Sequence, residues 1–325
     1  MKNIAIVYGG YSSEIVVSRK SAEGIGSFID TECYNIYQVL ITEEKWVVNF
    51  EDQEYPINKN NFSFELKGAT IAFDCVYITI HGTPGEDGLL QGYLKMLGIP
   101  HTTCDVLPAS LTFNKFTCNT YLKGFGVAVA DSVLIRKGRE YSIDDIAQKI
   151  GIPCFVKPNS GGSSFGISKV KTKEELAPSL EKAFAEGDEA LVEGLMEGTE
   201  ITCGIYKTSQ KEVVMPLTEI ISKNEFFDFE AKYNAEKAIE ITPARISEEL
   251  TKKIQQITSL IYDILNCKGI VRMDYILTER KIFLLEVNTT PGMTSTSFIP
   301  QQVEAMGTTM KEVITDVIED AMARE

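Results

Sequence analysis

The chain has 325 residues, 44% of them apolar and 24% charged, which excludes the disordered and fibrous classes and supplies enough apolar surface for two or three packed units. Its formal charge of -14 opposes phosphate backbones and anionic lipid, so neither nucleic acid nor membrane is an expected partner. Any phosphate ligand then needs a local basic or metal-bearing site, and seven cysteines without a CxxC pair read as reduced thiols of a cytoplasmic protein.

The opening run MKNIAIVYGG is too short for a signal-peptide core or a membrane span. Lys2 to Tyr8 reads as a buried strand, Gly9 and Gly10 as a tight turn, and Ser12 or Ser13 as the cap of a helix reaching about Phe28. Glu14 and Ser18 stand one helical turn apart there, so the carboxylate could receive an ammonium with Ser18 orienting it; a capped surface helix explains the same letters. Cys75 to Ile80 is strand-like and leads into HGTPGEDG and a helix ending at Leu97. His81, at the mouth of that turn, is either a binding group or structural. His101 and Cys104 are half a zinc site that nothing completes. Residues 1–103 thus form an open α/β unit, in which ligands gather at the carboxyl ends of strands.

A helix from about Pro108 to Gly124 opens the second unit, followed by strands at Ser132 to Arg136 and Cys154 to Lys157, a helix at 173–186, and strands Ala190 to Glu193 and Ile201 to Tyr206. Between Lys157 and Lys169 runs a loop with Gly161, Gly162, Ser163, Ser164 and Gly166. Such a loop can close backbone N–H groups around an anion, with lysine as a point charge, or be a plain flexible hairpin. It carries no GK[ST] and no GxGxxG. Beyond an aromatic loop at about 222–236 comes an amphipathic helix spaced by Ile254, Ile257, Ile261 and Leu265, then two strands and a terminal helix.

In the last strand, Lys281 to Asn288, alternation puts Ile282, Leu284, Glu286 and Asn288 on one face. The preceding strand, Ile270 to Leu277, does the same with Arg272 and Asp274, and the connection Thr278 to Arg280 suits an antiparallel hairpin. Asp274, Glu286 and Asn288 are oxygen donors without His or Cys, which suits Mg²⁺ completed by substrate phosphates; a polar face meeting water is the other reading.

Taken in order, GG.SSE..VS at the start, HG..GEDG.LQG at 81–92, VKP..GGSS.G at 157–166, EAKY at 230–233, R.D at 272–274 and EVNT.PGMT.S at 286–295 resemble the D-alanine–D-alanine ligases of the ATP-grasp superfamily. The resemblance spans nearly the whole chain. It implies a mixed α/β fold in which an N-terminal α/β domain (1–103) precedes a two-lobed ATP-grasp part, 104–189 and 190–325, with the loop at about 222–236 as its lid. The implied reaction turns one D-alanine into an acyl phosphate with ATP, and the amine of a second D-alanine then attacks it. The cofactors implied are ATP and two Mg²⁺, for which Mn²⁺ can substitute, and the implied assembly is a homodimer.

The same resemblance assigns residues. Asp274 and Glu286 would hold one metal ion, and Glu286 with Asn288 the other. Lys115 and Lys157 would contact phosphates with Ser164, and Lys232 would act from the lid. Glu193 would accept from the adenine amine, Met196 would offer backbone atoms, and Glu200 would bind ribose. Glu14 would take the first ammonium, with His81 near that substrate's carboxylate. Arg272 and the Gly292 N–H would stabilise the oxyanion, as preorganised donors do. Ser297 and Phe298 would line the second pocket, where many relatives carry leucine at the latter position. Tyr233, linked through Ser163 to Glu14, accompanies peptide-forming rather than D-lactate-forming members. Gly161, Gly194 and Leu195 depart from the commoner pattern.

Overall fold

The computed structural model of the chain describes residues 1–12, 14–162, 165–222 and 238–324. The mixed α/β fold expected from the sequence is borne out by three main sheets and the helices around them. In the first sheet, Lys2–Gly9 lies between two parallel neighbours, Tyr34–Ile41 and Cys75–Ile78, and Trp46–Phe50 and Gln53–Pro56 extend it antiparallel. Parallel pairing sends the carboxyl ends of the Lys2–Gly9 and Cys75–Ile78 strands the same way, so the turns after Gly9 and after Ile80 meet. The Tyr11 N–H donates to Thr83 O at 2.9 Å. Gly9 turns at φ +113°, where a Cβ would lie 2.2 Å from Ile41 O, so no side chain fits.

The first helix runs Ile15–Phe28, and its residue at the cap position is Glu14, whose side chain makes no capping hydrogen bond. The expected cap at Ser12 is therefore corrected: Ser12 Oγ accepts from Glu14 N–H at 3.3 Å and donates to His81 O at 3.4 Å, joining the two turns. Ser13 lies outside the described residues. Val17, Ser18, Ser21, Ala22 and Ile25 form the buried face. The Ser18 hydroxyl, one turn on from Glu14, accepts from Gly9 N–H at 3.0 Å.

The helix expected from Pro108 to Gly124 is broken into Val106–Phe113 and Lys115–Lys123. Asn114 adopts an extended conformation between them, and its side chain caps the second by accepting from Thr117 N–H at 2.9 Å. The break places Lys115 at a helix start, where its N–H donates to Asn159 O at 3.0 Å beyond the strand Cys154–Pro158. That strand belongs to an antiparallel sheet ordered Ser168–Val170, Cys154–Pro158, Glu189–Gly194, Ser132–Arg136. The boundary expected between 189 and 190 falls inside Glu189–Gly194, which pairs on both sides within this sheet; the next sheet starts at Thr199.

The third sheet is ordered Ala238–Ile241, Thr218–Ser222, Thr199–Lys207, Val271–Leu277, Ile282–Asn288, with Glu212–Val214 also on Thr199–Lys207. Helix Glu248–Ile264, capped by Ser247, lays Ile254 and Ile261 on it as the spacing predicts. The last two strands form the expected hairpin, but the register shifts: Asp274 faces Glu286 while Tyr275 faces Leu284. Leu285 is thus the extra residue of a bulge. Strict alternation from Ile282 to Asn288 fails there, and Leu284 joins Val287 in the core beneath Met273 and Tyr275, on the face away from Glu286. The pairing of Glu286 with Asn288 on one face survives, because both lie on the same side of the bulge.

A further core joins the two ends of the chain. Ile4, Ile6 and Tyr77 of the first sheet pack with Val313, Ile314 and Val317 of the helix Met310–Ala323, and Met293 and Ile299 close the cluster. Each such buried aliphatic side chain contributes ~1.5–3 kcal/mol, which holds the turn after Asn288 against the first domain. Among the described residues no helix is long and apolar enough to cross a membrane.

Candidate active site

A cavity of about 1210 Å³ lies where the three sheets meet. It is larger than ordinary small-ligand sites of about 300–1,000 Å³ and has room for a nucleotide beside a small acid. Glu14, Lys115, Lys157, Glu193, Met196, Glu200 and Glu286 all line it, with Phe155, Leu195, Ile276 and Leu285 as apolar walls. The bulge residue Leu285 is on this wall because the register shift turned it outward.

Glu14 is 4% exposed, wedged between the two glycine turns that meet it. A Cβ on Gly162 would lie 2.9 Å from Glu14 Oε1, and one on Gly82 would lie 3.3 Å from Oε2. Gly82 N–H donates to Glu86 Oε2 at 2.7 Å. Burial, and then the charge of Glu14, push the Glu86 carboxyl up to about 8. Glu86 went unassigned in the sequence, although its place in an acid-bearing turn marked it.

The basic groups face this carboxylate across the cavity. Lys115 Nζ donates to Gly161 O, and burial first, then the neighbouring Lys157, lower its pKa against the pull of Glu286 and Glu14. Lys157 Nζ is 2.7 Å from Glu193 Oε2 in a buried pair, and Asn119 Nδ2 donates to Glu193 Oε1 at 3.5 Å. Lys157, Glu193 and Asn119 are thus engaged with one another on this wall.

Arg272, Asp274 and Asn288 form a second group beside the cavity. Asp274 accepts from Arg272 Nε at 2.9 Å and Nη2 at 2.8 Å, from Thr202 Oγ1 at 2.6 Å, and from Asn288 Nδ2 at 3.1 Å. Thr202 is directly opposite Asp274 in the register, a partner visible only once that pairing is known. Burial opposes the charge on Arg272, but Asp274, Glu286 and Glu200 hold its pKa above the ordinary value. Its guanidinium lies 5.4 Å over the Phe298 ring.

Two carboxylates paired across a hairpin, plus an amide whose nitrogen is turned to Asp274, make a hard-oxygen donor set that fits Mg²⁺ or Mn²⁺. Among the described residues no three His, Cys, Asp or Glu side chains gather as a complete metal site.

The remaining expected residues sit at the turn after Asn288. Ser297 Oγ accepts from Thr294 N–H at 3.0 Å, and a Cβ on Gly292 would lie 3.1 Å from that oxygen. His81 is buried behind the cavity wall, its Nε2 3.1 Å from Ser21 Oγ. Ser163, Ser164, Lys232 and Tyr233, with the rest of 223–237 where the sequence places a lid, lie outside the described residues.

Residues 3–104 match the family model described as D-ala D-ala ligase N-terminus, and residues 121–319 the one described as D-ala D-ala ligase C-terminus. The chain is 59% identical over 321 residues to the D-alanine--D-alanine ligase of Phocaeicola vulgatus, covering 98% of this chain and 99% of that protein. It is similar in structure to the VanG D-Ala:D-Ser ligase of Enterococcus faecalis, with a TM-score of 0.86 at 31% identity over 98% of this chain and 99% of the other. It is also similar to the D-alanine--D-alanine ligase of Bacillus anthracis complexed with ATP, with a TM-score of 0.78 at 27% identity over 99% and 98%.

Proposed function

The chain belongs to the D-ala D-ala ligase family, and on that premise we propose that it joins two D-alanines to D-alanyl-D-alanine with ATP, releasing ADP and phosphate, as a step of peptidoglycan precursor supply. The observation that carries this reading is one cavity holding a buried Glu14 among glycine turns, with the buried Lys157, the half-buried Lys115 and Glu286 on its other walls.

A carboxylate resists attack by an amine, so the first D-alanine is activated by transfer of the terminal phosphoryl group of ATP. Glu14 receives that substrate's ammonium, and His81 lies behind the loop against which its carboxylate rests. Lys115 and Lys157 neutralise phosphate oxygens, and Glu193, Met196 and Glu200 receive adenine and ribose. Asp274, Glu286 and Asn288 would hold Mg²⁺, which when bound supplies charge neutralisation between the phosphates. The neutral amine of the second D-alanine attacks the acyl carbon, Arg272 and the Gly292 N–H donate to the oxyanion that forms, and its collapse breaks the acyl C–O bond, expelling phosphate as the amine loses its proton. Phe298 and Ser297 bound the acceptor pocket, and the roles that the resemblance gives Lys232, Tyr233, Ser163 and Ser164 belong to the same proposal.

The lobe boundary belongs to the same proposal and lies at residues 195–198, between the second and third sheets, with the first domain ending near 103. The enzyme would work in the cytoplasm as a homodimer; its seven free thiols, six of them buried, suit a reducing compartment. The test is phosphate release from ATP and Mg²⁺ in the presence of D-alanine, with the product identified. D-alanine offered together with D-serine or D-lactate then decides the acceptor, and preferential mixed product would replace the second D-alanine in this scheme.

A further inference from the structure

Ser21 occupies a junction that this scheme does not use. It is 1% exposed on the helix Ile15–Phe28. Its Oγ lies 3.1 Å from His81 Nε2 and accepts from Met293 N–H at 3.4 Å. The contact with the turn is close along the whole face: at Gly24, three residues on, a Cβ would lie 2.2 Å from Met293 O. One helix face therefore meets both the histidine of the first domain and the turn that carries the Gly292 N–H.

Counting protons fixes the direction of these bonds. A hydroxyl has one proton and two lone pairs, and a backbone N–H can only donate. Met293 therefore occupies a lone pair of Ser21 Oγ. Among the described residues the acceptor that remains for the hydroxyl proton is His81 Nε2. Leaving that proton unbonded in a buried site is costly. If Nε2 accepts, a neutral ring carries its proton on Nδ1.

We propose that Ser21 is a positioning residue that fixes His81 in the neutral tautomer protonated on Nδ1 and couples it to the Met293 turn. Burial pushes the His81 pKa down, which supports the neutral ring; Glu14 opposes this and Arg272 reinforces it. An imidazole held this way offers an N–H, the group a substrate carboxylate requires, in place of a lone pair that would repel it. This use of the N–H rests on the placing of His81 at the first carboxylate proposed above; the tautomer does not.

The full chain has two histidines, so ¹⁵N-histidine labelling gives few signals, and H101Q identifies those of His81. In the wild type near pH 7, the nitrogen correlated with both ring C–H protons, Nε2, should be the pyridine type and Nδ1 the pyrrole type. In S21A that preference should be lost, with the KM for D-alanine rising roughly fivefold to tenfold, as for one lost hydrogen bond, and the KM for ATP unchanged. S21T, which keeps the hydroxyl, should restore both. A protonated Nε2 in the wild type overturns the proposal whatever the activity. An unchanged D-alanine KM in a folded S21A overturns the positioning role. His81 signals that ignore saturating D-alanine would refute the substrate placing alone, leaving the tautomer to be judged by its own spectrum.

Discussion

The buried pair of Lys157 and Glu193 makes the nucleotide site sensitive to a change in either partner. Their side chains are 7% and 3% exposed and the Nζ to Oε2 distance is 2.7 Å, so a missing partner leaves a largely desolvated charge. In K157M, Glu193 keeps only the long 3.5 Å bond from Asn119 among the described residues, and the uncompensated carboxylate should cost ~3–5 kcal/mol. The double variant K157M/E193L removes both charges and should recover most of that loss, since buried pairs exchanged for apolar side chains are often neutral in stability. Urea unfolding of both variants without nucleotide, extrapolated to water, measures the two values. A loss below ~1 kcal/mol in K157M, or a double variant as destabilised as the sum of its singles, would refute the reasoning. ATP, when bound, would draw Lys157 toward its phosphates, so the double variant should fold and yet bind ATP poorly in calorimetry.

Three further outcomes are expected. G162A places a Cβ 2.9 Å from Glu14 Oε1, and the flexible carboxylate can move aside; the KM for D-alanine should rise about tenfold or more while the melting temperature changes little, and a wild-type KM would clear Glu14 of ammonium binding. Glu86 has a folded pKa of about 8 against an ordinary 4.5, so its contribution to stability is full below about 4.5 and is lost as pH rises through about 8. E86Q should flatten the decline of stability across that window, and an unchanged pH profile of the unfolding midpoint would contradict the buried, protonated carboxyl. E286Q should abolish turnover and leave the fold intact by circular dichroism, because the donor set fits a cation only with both carboxylates; full activity would remove Glu286 from the metal site.

Much of this arrangement was legible in the letters, and the exceptions have physical causes. Alternation put Glu286 and Asn288 on one face correctly, but alternation cannot reveal an inserted residue, and the bulge at Leu285 sent Leu284 to the opposite side. Helical periodicity ran through Asn114 because no Gly or Pro stands between Pro108 and Gly124 to mark a break. The side-chain cap on Thr117 and the bonds from Lys115 and Phe116 to Asn159 break the helix, and Asn159 is distant in sequence. Ser18 and Ser21 are indistinguishable as letters on a helix. Both are buried and only their partners separate them, Ser18 toward Gly9 and Ser21 toward His81. Thr202 likewise gains its meaning only from the strand register that sets it opposite Asp274. Local pattern gave the elements; long-range pairing decided which side chains meet.

The most direct test of the central claim is a single incubation of the purified chain with ATP, Mg²⁺ and D-alanine, with phosphate release and product followed together. The account requires one phosphate released for each D-alanyl-D-alanine formed, and neither without D-alanine. Phosphate released in step with D-alanine but with no dipeptide, or release indifferent to D-alanine, would contradict it.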